Sequence, residues 1–244
     1  MGIKTLIISS CSGEKKFSAP NHALARDLDN IEKRVEKEEE LKEFLLPARE
    51  MFISPQNKFI EESLKLFQQN NYHLDYYFIS SGYGYISSNE QVMPYEVNLS
   101  VMPAYDNEKR GDFLKINQEL SFSAKNYDLV FFLLSHEYIR TLNLPLELPE
   151  KTKQIFFLTK SDKKVINNIK NIIRLELGTE EINILNVKPS ELKGYIFKLI
   201  AQESNNYDVL EEIYKNPEHI DQIILKNKKE KEIIFEQMSL FDNI

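Results

Sequence analysis

Four short apolar runs, each closed by polar, turn-forming residues and spaced by stretches of helical periodicity, constrain the fold of this chain more than any other feature. They are Lys4-Thr5-Leu6-Ile7-Ile8-Ser9, Tyr76-Tyr77-Phe78-Ile79-Ser80, Leu129-Val130-Phe131-Phe132-Leu133-Leu134 and Gln154-Ile155-Phe156-Phe157-Leu158. Runs of β-branched, aliphatic and aromatic residues without polar alternation are what strands buried on both faces look like. Ile182-Asn183-Ile184-Leu185 is a weaker fifth. Helical patterns lie between them, from Leu24 to Leu46, Gln56 to Gln69, Glu108 to Ala124, Asp162 to Leu175 and Ser190 to Gln202. Strand alternating with helix predicts an α/β fold of three layers, a mostly parallel sheet flanked by helices. After Gln202 only helical patterns follow, at Tyr207 to Tyr214 and Pro217 to Lys226, so the expected organisation is an α/β domain over 1–203 with a C-terminal helical appendage and tail over 204–244. The charged stretch Glu32 to Glu43 reads as an exposed helix held by i,i+4 pairs, with no chemistry of its own.

With 244 residues, 42% of them hydrophobic, the chain supplies one sizeable core. Cys11 is the only cysteine, which excludes a disulfide framework. No apolar run reaches the roughly 18 residues of a membrane span, and no signal segment is visible, so a cytoplasmic location without membrane contact is expected. Four scattered histidines and one cysteine give no metal-ligand spacing, and no cofactor is expected. The net charge of −7 opposes non-specific wrapping of nucleic acid. Charge is unevenly placed, however. Lys226, Lys228, Lys229 and Lys231 cluster near the C-terminus, and an acidic total is compatible with a basic cleft.

In open parallel sheets ligands bind beyond the carboxyl ends of strands, which directs the search to the loops that follow them. The first is Ser9-Ser10-Cys11-Ser12-Gly13-Glu14-Lys15-Lys16, dense in hydroxyls and donors. The second is Ser80-Ser81-Gly82-Tyr83-Gly84-Tyr85, where glycines permit close backbone approach and tyrosines offer stacking faces. The third, Ser135-His136-Glu137-Tyr138, places a histidine at a helix start. Each has an ordinary structural reading as a cap or a tight turn, but three at one sheet edge point to a site.

Cys11-Ser12-Gly13-Glu14-Lys15-Lys16-Phe17-Ser18, with His22 beyond it, resembles the Cys-Ser-x-x-Lys-Pro-Tyr-Ser block of the archaeosine synthase core domain, which handles a deazaguanine base in tRNA. Pro47-Ala48-Arg49-Glu50-Met51-Phe52, Ile79-Ser80-Ser81-Gly82-Tyr83-Gly84-Tyr85-Ile86 and Pro94-Tyr95-Glu96 follow the order of Pro-Ala-Arg-x-x-Tyr, Ser-Ala-x-Tyr-Gly-Leu and Pro-Tyr-Asp blocks in a large bacterial YaaA-like group. That group is similar, more distantly, to the uracil-DNA glycosylase-like α/β fold. The resemblance covers roughly residues 4–140. Lys16 stands where archaeosine synthase has proline. Glu96 stands where the bacterial group has aspartate, which keeps a carboxylate with longer reach.

The resemblance implies nucleobase recognition, and the residues suit cleavage of an N-glycosidic bond. Such a bond breaks through a cationic, oxocarbenium-like sugar and a departing base, so an enzyme needs a carboxylate at the sugar and donors on the base. Glu96, or less favourably Glu90, supplies the carboxylate, and His136 is the second catalytic candidate. Ser10, Cys11, Ser12, Lys15, Ser81 and Gly82 are expected to contact base or phosphate, and Tyr83 and Tyr95 to stack on a base rotated out of the duplex. Arg49 either clamps a phosphate or forms an internal salt bridge. Cys11 reads as a lining residue, not a nucleophile, because neither a paired histidine nor a second cysteine is assigned.

The last residues, Gln237-Met238-Ser239-Leu240-Phe241-Asp242-Asn243-Ile244, resemble the peptide by which bacterial DNA-processing proteins hook onto the replication sliding clamp. Gln237, Leu240 and Phe241 would be its anchors, and the alternative is an apolar helix end folded onto the body. The expected partners are therefore DNA and the clamp, and the expected activity is that of a DNA glycosylase acting on a modified or unusual base, with roles in repair or antiviral defence. The alternatives are a non-catalytic YaaA-like DNA-binding stress protein and a tRNA deazaguanine-modifying enzyme.

Overall fold

A computed structural model describes residues 2–229 apart from 12, 18, 20, 167 and 168. At its centre lies a six-stranded sheet built from β1 (Thr5–Ser10), β2 (Leu74–Ser80), β3 (Gly84–Ser87), β4 (Leu129–Leu133), β5 (Lys153–Leu158) and β6 (Ile173–Glu176) in the order β6-β5-β4-β1-β2-β3. All neighbours run parallel except β2 and β3, which form an antiparallel hairpin at one edge. β1 is the pivot, with Ile7 level with Tyr76 on one side and Phe131 on the other.

Alternation along each strand sends successive side chains to opposite faces, and both faces are buried. On one face Ile7, Phe78, Phe131 and Phe157 pack against Ile60 and Phe67 of α2 (Pro55–Gln69) and Ile196, Phe197 and Ile200 of α8 (Leu192–Glu203). On the other, Leu6, Ile8, Val130 and Phe132 lie under Ile116 and Leu120 of α4 (Ile116–Ala124) and Ile139 of α5 (His136–Thr141). Phe132 and Phe156 stack face to face across β4 and β5, ring centroids 4.1 Å apart. Each such side chain, fully withdrawn from water, contributes about 1.5–3 kcal/mol. The expected α/β, three-layer arrangement is the one the protein adopts.

Two expectations fail locally. Ile182-Asn183-Ile184-Leu185 belongs to α7 (Thr179–Leu185), a helix started by a Glu181 carboxylate that accepts the Gly178 N–H at 2.7 Å. Its Ile182 and Leu185, three residues apart, turn one face to the core. The last parallel strand is instead Ile173–Glu176, which the predicted helix from Asp162 to Leu175 had absorbed. There α6 (Lys160–Ile166) stops early, and β6 alternates buried Leu175 with exposed Arg174 and Glu176, as an edge strand does.

Two other helical patterns are interrupted. From Leu24 to Leu46 a short turn precedes α1 (Ile31–Glu40), because the Asn30 side chain accepts the Lys33 N–H at 3.0 Å and starts a new helix. From Glu108 to Ala124, Lys115 with φ 52° separates α3 (Ala104–Phe113) from α4. The β2–β3 hairpin enters β3 at Gly84, whose φ of +81° favours glycine, and a notional Cβ there would also stand a tight 3.2 Å from the Leu114 carbonyl. α9 (Val209–Lys215) and the helical residues 219–229 bury Val209, Ile213, Ile220 and Ile223 in the same core as α2 and α8. No helix among the described residues is long and apolar enough to cross a membrane.

Candidate functional site

Strand order reverses between β1 and β4: the chain first builds outward through β2 and β3, then returns to the other side of β1. Loops that leave two such neighbours in opposite directions open a crevice at their carboxyl ends. Here two adjoining cavities of about 730 and 680 Å³ occupy that place, sharing Ser10, Cys11 and Gly13 after β1 and Ser135 and Glu137 after β4. Each is of ligand size.

The first lobe is ringed by the starts of four helices: Ser54 to Gln56 at α2, Ser135 to Glu137 at α5, Thr159 to Ser161 at α6, and Gly178 and Thr179 at α7. Its floor is an ion pair. Lys193 Nζ of α8 donates to Asp162 Oδ2 at 2.6 Å and to the Leu134 carbonyl, and both side chains are almost wholly buried. Asp162 also accepts the Thr159 N–H at 2.7 Å and its hydroxyl at 2.8 Å. Burial pulls the Lys193 ammonium below the ordinary lysine range, and Asp162 opposes that. α8 reaches so deep because Gly194 lies against α2, where a Cβ would stand 2.6 Å from the Gln56 carbonyl. The Gln56 amide in turn donates to Ser9 Oγ and to the Leu133 carbonyl, each at 2.9 Å, tying α2 to the strand ends.

The second lobe contains Lys15, His22, Tyr95, Glu96 and Asn98. A two-residue parallel pairing sets Ala23 beside Tyr95 and Leu24 beside Glu96, which brings His22 and Glu96 together, Nε2 to Oε2 3.0 Å. Tyr95 is buried with its hydroxyl 2.6 Å from Ser80 Oγ, and Lys15 Nζ sits 4.2 Å above its ring. Burial lowers the Lys15 ammonium from the usual lysine value, against the raising influence of Cys11 and Glu96. Burial likewise lifts the Tyr95 and Tyr138 phenols well above the ordinary range, so both stay protonated.

On the divide, Cys11 Sγ lies 3.0 Å from Tyr138 Oη and 3.6 Å from Ser81 Oγ. Glu137 is fixed beside it, accepting the Ser135 hydroxyl at 2.6 Å through Oε2 and facing His136 Nε2 at 3.3 Å through Oε1. The cleft thus carries two carboxylate–imidazole pairs, Glu96–His22 in the second lobe and Glu137–His136 at the edge of the first. Among the described residues no group of three or more His, Cys, Asp and Glu is placed to hold a metal ion.

The residues singled out from sequence scatter more than a single pocket requires. Ser10 and Cys11 line both lobes, Lys15, Tyr95 and Glu96 the second, and His136 the first. Ser81 and Gly82 are buried supports. The Ser81 hydroxyl donates to the Val97 carbonyl at 2.8 Å, and a Cβ on Gly82 would meet the Tyr95 ring at 2.9 Å. Tyr83 belongs to the core, its hydroxyl accepting the Met93 N–H at 3.1 Å and its ring covered by Arg34 at 4.3 Å, so it presents no stacking face. Arg49 takes the internal one of its two readings, a two-point pair with Glu61 beside a separate groove that includes Tyr72 and His73. Lys226 and Lys228 pair with Glu203 and with Glu180 and Glu181, and neither lines either lobe. Ser12, Lys231 and the clamp anchors Gln237, Leu240 and Phe241 lie outside the described residues.

The sequence alone does not single out Glu137, Tyr138, Asp162 or Lys193. The first two follow His136 in a loop already marked, and Lys193 carries a signal of its own, a lysine on the same helical face as Ile196, Phe197 and Ile200. Nothing in the sequence pairs it with Asp162. No protein-family model matches the chain, and no curated protein does.

Proposed function

We propose that the protein hydrolyses an N-glycosidic bond of a modified or unusual base in DNA, with the base in the second lobe and the sugar over the divide. One observation carries this reading most: Glu137 lines both lobes, so a ligand spanning them passes over its carboxylate. A carboxylate held there by Ser135 and His136 stabilises positive charge on the sugar and draws the proton from a water arriving through the first lobe. In the second lobe the Glu96 carboxylate, steadied by His22, accepts N–H groups from the edge of a base, and Lys15 and Asn98 donate to its oxygens and ring nitrogens. Glu96 therefore moves from the sugar-side role expected of it to base recognition, and Glu137 takes its place. Incubation with a panel of modified DNAs is expected to leave alkali-labile abasic sites in at least one of them. Intact DNA throughout, from protein that binds it, would refute the proposal.

Recruitment to DNA is assigned to the C-terminal peptide, since a chain of net charge −7 whose Lys226 and Lys228 are internally paired gains from a tether that raises its local concentration. Deleting residues 237–244 is expected to abolish retention on immobilised bacterial sliding clamp while base release from naked DNA is unchanged. Retention of the truncated protein would show that the anchors lie elsewhere.

A further inference from the structure

We propose that Lys15 is a carbonyl-capturing nucleophile, which makes the second lobe a site for the aldehyde of an abasic sugar and gives the protein a strand-cleaving lyase step after base release. The inference rests on the glycosidic reading for the origin of that aldehyde, but not for its chemistry.

The geometry around Lys15 is unlike that of a solvated surface lysine. Its chain segment is held by the bridge to Phe52, and its Nζ stands over the Tyr95 ring. Tyr95 cannot swing away, because Ser80 holds its hydroxyl and Gly82 packs on its edge. The amine is therefore positioned on a fixed wall of the lobe that Glu96 and His22 also line. Partial burial favours the unprotonated amine, the form that attacks a carbonyl, and supports the assignment without being its basis. The two other lysines of the cleft belong to the first lobe: Lys193 lies in its floor against Asp162 and the Leu134 carbonyl, and Lys160 is exposed at the start of α6.

Departure of the base vacates the second lobe, and the abasic sugar opens to its aldehyde. The Lys15 nitrogen forms a bond to C1′, and the carbinolamine loses water to give an iminium. Glu96 removes a proton from C2′, the electron pair forms the C2′–C3′ double bond, and the 3′ phosphate leaves with the C3′–O electrons. Water then hydrolyses the conjugated iminium, returning the amine and an unsaturated aldehyde on the 5′ fragment. No oxidant or reductant takes part.

The test uses the full chain and DNA holding a ready-made abasic site, so its result is independent of whether the protein releases any base. Addition of cyanoborohydride is expected to reduce the iminium to a stable protein–DNA adduct, and peptide mapping by mass spectrometry is expected to place that adduct on Lys15. Lys15→Arg, which keeps the cation, should lose both the adduct and strand cleavage while retaining the melting temperature of the parent. No adduct from the wild-type protein, or an adduct mapped to another residue, overturns the assignment. Mapping on the wild-type chain decides the matter even if the variant folds poorly.

Discussion

Asp162→Ala is expected to lower stability by about 3–5 kcal/mol, the range for stripping one partner from a buried ion pair and leaving the other charge uncompensated. Lys193 cannot turn to water, because both side chains are almost wholly buried and α8 is pressed onto α2 at Gly194. Against a typical total of roughly 5–15 kcal/mol, that is about a fifth or more of what holds the domain together. A second replacement, Lys193→Met, removes the stranded charge as well, so the double variant should be more stable than Asp162→Ala alone. Denaturant midpoints measure both.

The deficit should also depend on pH in a stated direction. Lys193 titrates at the ordinary value of 10.5 in the unfolded chain and lower in the folded one, so the folded state binds its proton less well. That penalty is complete below the folded value and fades as pH rises toward 10.5. Removing Asp162 takes away the largest influence holding the folded value up, so the variant begins to recover at lower pH than the parent. The gap between them should narrow on going from neutral to alkaline pH. A gap that stays constant or widens would mean that Asp162 acts mainly by capping α6 through Thr159.

Glu137→Gln is expected to reduce the single-turnover rate of base release by about 10²–10⁴-fold with DNA affinity little changed, the usual span for a general acid or base. The amide keeps the size of the side chain and a contact to Ser135, but neither stabilises a cationic sugar nor accepts a proton from water. Glu96→Gln should instead alter KM and the order of preference among bases, because an amide presents a donor where the carboxylate only accepts. If Glu96→Gln proves the slower in turnover and Glu137→Gln the weaker in binding, the two roles are reversed and the sugar lies in the second lobe.

The layers of the fold were legible because four strands are apolar on both faces and bounded by turn-forming residues. The misplaced fifth strand shows the limit of that signal. Ile182-Asn183-Ile184-Leu185 and Ile173-Arg174-Leu175-Glu176 are both short and rich in isoleucine and leucine. The choice between them was made by the Glu181 cap on Gly178 and by pairing with β5, a contact between segments distant in sequence. The site followed the same division. Loops after β1 and β4 were found because their position at strand ends is a local property, which is why Cys11, Lys15 and the Ser135 to Tyr138 turn lie in the cleft. Tyr83 and Arg49 were placed there on local grounds as well, and Arg34 and Glu61, from other elements, claim them. Lys193 and Asp162 meet only through tertiary packing, which periodicity does not report.

Mass spectrometry of the small molecules released from a susceptible modified DNA tests most directly which bond breaks. The free modified base, appearing in step with abasic sites and lost in Glu137→Gln, is the result predicted. Release of the same base still attached to its sugar or phosphate, or no release from any DNA that the protein binds, would contradict it.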